Sequence, residues 1–217
     1  MILKMLQTGP LMVNCYIVGD EETREAGVFD PGGNAGEILD TLAAENLTLA
    51  CIVNTHAHWD HVGGNRELQE ATGAPILVHA EEAPSLGAVS SRARVYGSQA
   101  TDSEASRFLQ EGDTLEIGAI AIDVLDLRGH SPGGLGFVLQ GEIEVDGDRR
   151  RVTAVICGDA LFAGSIGRTD FPGGDMELLL DNIRKKIFTL SDDALVLPGH
   201  GPVSTVGREK QTNPFLQ

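Results

Sequence analysis

The stretch Thr55–His61, THAHWDH, packs three histidines and one aspartate into seven residues. The chain has only six histidines in 217 residues, so half of its imidazole sits here. Imidazole nitrogen suits zinc and iron, and a carboxylate can bridge two cations. His56 and His58 stand two apart, His61 is offset from them, and the glycines that follow in HVGG allow a tight loop. A lone loop histidine usually caps backbone groups. Three with an aspartate at this spacing point to a metal.

Three more candidates stand at the ends of apolar runs. ACIVN leads to His56, His58, Asp60 and His61; IAIDVLDL leads to His130; RVTAVIC leads to Asp159; ALVLP leads to His200. Sites in α/β sheets gather at strand carboxyl ends, where loops converge on one edge. Five histidines and two aspartates exceed the three protein ligands of a usual catalytic metal. The surplus implies two divalent cations, zinc first and iron or manganese next, with a bridging hydroxide suited to hydrolysis. His79 also follows a strand, in PILVHA, but falls outside this pattern and reads as structural.

These residues need strands to carry them. The sequence predicts strands at LKMLQ, CYIVGD, AGVFD, LTLACIVNT and APILVHA in the first half, with helices at NAGEILDTLAAEN and GNRELQEATG. A polar, irregular stretch from Glu81 to Glu111 follows, with one or two short helices expected. The second half offers strands at DTLEIG, IAIDVLDL, LGFVLQ, RVTAVIC and ALVLPG, and one helix, DMELLLDNIRKKIFTL. The mixture implies an α+β or layered α/β fold, and the length suits a single domain spanning residues 1–217.

Composition excludes several function classes. A formal charge of −16 argues against nucleic acid, whose phosphates need a basic face. No apolar run reaches the roughly 18 residues of a membrane span. The start of the chain does not read as a signal peptide, because Gln7, Gly9 and Pro10 interrupt it. Cys15, Cys51 and Cys157 lie apart in apolar stretches, as reduced core cysteines of a cytoplasmic protein would. The expected partner is a small molecule, and the expected state a monomer or homodimer.

THAHWDH resembles the HxHxDH signature of the metallo-β-lactamase superfamily, and the later GH at His130, GD at Asp159 and GH at His200 keep that superfamily's order. The resemblance covers essentially the whole chain. It implies a four-layer αβ/βα sandwich, with His56, His58 and His130 on one metal, Asp60, His61 and His200 on the other, and Asp159 bridging. GDALFAGSIGRTDFPGGD and PGHGPVSTVGREKQTNPFL further resemble the glyoxalase II group, the hydroxyacylglutathione hydrolases, in a short bacterial form. Longer members carry a helical segment with basic residues after NPF, whereas this sequence ends at Gln217, so weaker glutathione recognition is expected.

The implied reaction is hydrolysis of S-D-lactoylglutathione or a related acyl thioester. A thiolate leaves readily, since thiols have a pKa near 8.5. Asp60 is a ligand that could also orient or deprotonate the attacking water. Arg168 is the candidate substrate contact, with a buried ion pair to Asp170 as the alternative. Asp30 is expected to hydrogen-bond loop backbone, and Trp59, Phe162 and Phe171 to pack. Arg208 and Lys210 read as surface charges. The alternatives are a mono-iron persulfide dioxygenase with a similar GRTDF stretch, a lactonase or β-lactamase, and a non-enzymatic metal-binding protein.

Overall fold

The computed structural model describes residues 1–145 and 147–217. The chain divides into two compact units, Met1–Leu109 with Glu116–Ile120, and Gln110–Leu115 with Ala121–Gln217.

The first unit is built on a six-stranded sheet, ordered β1-β2-β3-β4-β5-β6. β1 (Ile2–Thr8), β2 (Val13–Gly19) and β3 (Glu25–Phe29) form an antiparallel meander. α1 (Ala35–Ala44) then crosses to β4 (Thr48–Val53), which runs parallel to β3. α2 (Trp59–Val62) and α3 (Asn65–Thr72) lead to β5 (Ile76–Val78), and α4 (Ala83–Leu86) and α5 (Val89–Val95) lead to β6 (Arg107–Phe108), both strands again parallel. Helical spacing explains α1: Ala35, Ile38 and Leu42 form the buried stripe. α3 stops at Gly73, whose φ of 76° is left-handed and suits a residue without Cβ. The core joins Ile17, Val28, Ile38, Ile52, Leu68 and Ile76, each fully buried side chain contributing roughly 1.5–3 kcal/mol. Because β3, β4 and β5 are parallel, their carboxyl ends share one edge. Asp30, the THAHWDH stretch and Glu82 all follow from that edge.

A second six-stranded sheet, all of it in the second unit but for Glu116, Ile117 and Ile120, is built from β7 (Thr114–Ile117), β8 (Ile120–Asp126), β9 (Leu135–Val145), β10 (Asp148–Gly158), β13 (Leu195–Pro198) and β14 (Ser204–Thr205) in the order β14-β13-β10-β9-β8-β7. A small hairpin, β11 (Leu161–Phe162) and β12 (Ser165–Ile166), follows β10. α6 (Met176–Asn182) continues into a π-helical turn at Ile183–Ile187, and α7 (Val206–Thr212) follows β14. β8 and β10 are each antiparallel to β9, and β10 is parallel to β13. Hence β8, β10 and β13 point the same way, and His130, Asp159 and His200 lie beyond their carboxyl ends. Leu179, Ile183 and Ile187 pack with Val155, Leu161 and Val196 in this unit's core.

Most strands stand where expected, with informative departures. β9 and β10 run several residues beyond LGFVLQ and RVTAVIC, and the expected single helix changes its winding at Ile183. α2, α7 and the two-residue strands were not anticipated. Among the described residues no helix is long and apolar enough to cross a membrane.

Candidate metal centre

In the first unit, β4 ends at Val53, and the chain passes through Asn54 and Thr55 into the histidines. Asp30, just past β3 with φ of 49°, takes the backbone N–H of Thr55 at 2.8 Å and its hydroxyl at 2.6 Å. That hydroxyl, committed as donor to Asp30, accepts from His56 Nδ1 at 3.0 Å. The His56 proton is therefore on Nδ1 and its lone pair on Nε2. Asp30 Oδ2 also accepts from His61 Nδ1 at 3.1 Å, which leaves the lone pair of that ring on Nε2. One buried carboxylate thus sets the tautomer of two histidines, as the partners behind metal-ligating imidazoles do.

The lone pairs converge. His56 Nε2 is 3.0 Å from His58 Nδ1, and His61 Nε2 is 3.8 Å from Asp60 Oδ2. Two ligand atoms about 2.0–2.1 Å from one tetrahedral ion stand roughly 3.4 Å apart, so these pairings fit a shared cation. The backbone is held equally firmly. Glu82, buried beside α4, accepts the Ala57 N–H between His56 and His58 at 2.9 Å. Gly32 lies so close to the Asp60 carbonyl that a Cβ would strike it, which accounts for a glycine in DPGG.

The second unit repeats the pattern with different residues. His130 Nδ1 donates to the carbonyl of Arg168 at 2.8 Å, and its Nε2 is 3.7 Å from Asp159 Oδ2. The same Asp159 oxygen is 3.8 Å from His200 Nε2. A carboxylate oxygen between two imidazole nitrogens is the arrangement expected of a bridging ligand. Gly167 seals the loop: a Cβ there would meet the Asp159 carbonyl and, at 2.9 Å, His130 Nδ1. Phe162 is half-buried, its ring centroid 6.4 Å from that of His200.

The remaining candidates separate. Arg168 makes a bidentate pair with Asp170, both contacts at 2.7 Å, and its guanidinium lies 3.8 Å over the Phe171 ring. The pair is exposed rather than buried, with Arg168 55% accessible. The Arg168 hydrogen bonds hold the Asp170 carboxyl down at about 2. Trp59 is buried and stacks on Tyr96 with centroids 5.2 Å apart. His79 takes the Glu81 N–H on Nδ1 at 3.2 Å, a loop cap as expected. Burial pushes the Cys51 thiol up to about 11 and the Cys15 thiol well above its ordinary range, so both are inert core residues.

The description of the Metallo-beta-lactamase superfamily matches residues 8–200. The chain belongs to the metallo-β-lactamase superfamily. Hydroxyacylglutathione hydrolase GloC of Haemophilus influenzae is 34% identical over 219 residues, covering all of this chain and 98% of that protein. Among solved structures, BLEG-1, described as a B3 metallo-β-lactamase, superposes with a TM-score of 0.86 at 34% identity over the whole of both chains. TTHA1623, solved in a di-iron-bound form, gives 0.83 at 34% identity over 98% of this chain and all of that one. The fold is therefore the metallo-β-lactamase fold expected from the sequence. The histidine and aspartate clusters of each unit are compatible with the divalent metals of this superfamily.

Proposed function

We propose that this chain is a metal-dependent hydrolase of the glyoxalase II type, acting on S-D-lactoylglutathione or a related acyl thioester. The observation that carries the metal part is Asp159 Oδ2 poised between His130 Nε2 and His200 Nε2, at 3.7 and 3.8 Å. The thioester part rests on the GDALFAGSIGRTDFPGGD and NPFL stretches and on the full-length similarity to GloC.

In the arrangement the family pattern implies, His56, His58 and His130 hold one cation, Asp60, His61 and His200 hold the other, and Asp159 is shared. Two divalent cations, zinc or alternatively iron or manganese, would supply a hydroxide at neutral pH and an electrophile for the thioester carbonyl. The protein's own work is preorganisation. Asp30 and the Arg168 carbonyl keep His56, His61 and His130 in tautomers that present Nε2. Asp60 would orient the attacking water or take its proton. Arg168, on the surface beside Phe171, would meet a substrate carboxylate if it exchanges that group for Asp170. The thiolate departs without an acid, which suits a site whose titratable groups are nearly all ligands.

The test is elemental analysis of purified protein beside a thioester-hydrolysis assay. Two metal equivalents with turnover support the reading. Metal-replete protein that hydrolyses no thioester would defeat it.

A further inference from the structure

The end of the chain carries a motif, STVGREKQTNPF, that the metal ligands do not explain. Within it, Glu209 and Asn213 stand four apart, Glu209 on α7 and Asn213 as its C-cap, and both are wholly buried. A fully buried carboxylate is costly unless its charge is met by donors. Among the described residues no basic side chain pairs with Glu209. Instead its Oε2 accepts the Gly164 N–H at 2.8 Å and Asn213 Nδ2 at 2.9 Å, while Oε1 accepts a short hydrogen bond from the Ser204 hydroxyl. Asn213 Nδ2 also donates to the Ser165 carbonyl at 3.0 Å.

Ala163 and Gly164 form the turn of the β11–β12 hairpin and Ser165 opens its second strand, in a register that pairs Leu161 with Ile166 and Phe162 with Ser165. One arm of the hairpin leaves Asp159 directly. The other returns through Gly167, whose N–H donates to the Ala160 carbonyl at 3.3 Å, to Arg168, whose carbonyl orients His130. The clamp thus grips one end of a loop whose other end carries Asp159 and the Arg168 carbonyl that orients His130.

We propose that Glu209 and Asn213 are positioning residues, which clamp the tip of the β11–β12 hairpin and thereby fix Asp159 and the Arg168 carbonyl that orients His130. The inference rests on the reading of His130 and Asp159 as metal ligands. The clamp works through hydrogen bonds, not charge. A glutamine can keep all three partners: its carbonyl accepts from Gly164 and Asn213, and the Ser204 hydroxyl turns to accept from its NH2. An alanine strands the Gly164 N–H, one N–H of the Asn213 amide and the Ser204 hydroxyl.

The experiment compares wild type, Glu209→Ala, Glu209→Gln and Asn213→Ala, each loaded with zinc and challenged with a chelator. Cobalt(II)-loaded samples are read by visible absorption, and folding is checked by circular dichroism. Glu209→Ala and Asn213→Ala should lose zinc affinity by about tenfold or more, the usual effect of disturbing the groups behind metal ligands, and should shift the cobalt bands. Turnover should fall through kcat, with KM little changed. Glu209→Gln should behave as wild type. Should Glu209→Ala fail to fold, Asn213→Ala decides, since it releases Ser165 while Glu209 keeps Gly164 and Ser204. Folded variants with wild-type zinc affinity and cobalt spectrum would overturn the proposal, as would a glutamine variant as impaired as the alanine one. Wild type that binds no metal would instead overturn the ligand reading itself.

Discussion

Asp30 accepts a hydrogen bond from His61 Nδ1 at 3.1 Å, and both side chains are shut off from solvent. The same carboxylate reaches His56 through the Thr55 hydroxyl. Replacing Asp30 with Asn removes the charge and one acceptor, so the two tautomers lose a shared support. Metal affinity should fall by about 10- to 100-fold. Chelator competition on Asp30→Asn checks this, and unchanged affinity would remove Asp30 from the site's support.

Asp159→Ala should abolish turnover and weaken metal retention. It deletes the oxygen between His130 and His200, and two cations without a shared anion repel more strongly. Gly167→Ala should do similar damage while every ligand-type residue is kept, because its Cβ would collide with the Asp159 carbonyl and crowd His130 Nδ1. Metal content and thioester turnover of the two variants are the measurements.

Arg168→Ala should raise KM about ten- to a hundredfold, the worth of one charged hydrogen bond, with a smaller effect on kcat. Its partner sets the pH window. The Asp170 carboxyl is held at about 2, below its unfolded value near 3.9, so whatever the pair contributes to stability is complete above about pH 4. That contribution is lost as pH falls through about 2. Denaturation of wild type and Asp170→Asn should therefore differ most at pH 7 and converge as pH falls through about 2.

Native protein should resist thiol reagents at pH 8. All three cysteines are buried, and Cys51, raised to about 11, has almost no thiolate there. A colorimetric thiol assay should detect them only after unfolding. Fast modification of the folded protein would contradict this.

The ligand-type residues were legible because histidine and aspartate at strand ends are chemically specific. What orients them was much less so. The carbonyl of Arg168 holds His130, and a backbone group leaves no residue-type signal. Asp30 was expected to bond loop backbone, and it does at Thr55, but its hold on His61 spans 31 residues. Glu82 carried no pattern at all. The strands β9 and β10 were read short because their outer parts turn polar. Arg149 opposes Glu144 and Arg151 opposes Glu142 across the ladder, so opposite charges sustain pairing where apolar alternation has stopped. The π turn at Ile183–Ile187 keeps apolar residues four apart, a spacing that an α-helix shares.

The most direct measurement is the rate of thioester hydrolysis by metal-stripped protein as zinc is returned in known equivalents. A pair of cations held by His56, His58, Asp60, His61, His130, Asp159 and His200 predicts a rate that rises until two equivalents per chain are bound and then levels. A plateau at one equivalent, or oxygen uptake with persulfide by a one-iron form, would contradict it and favour the dioxygenase alternative.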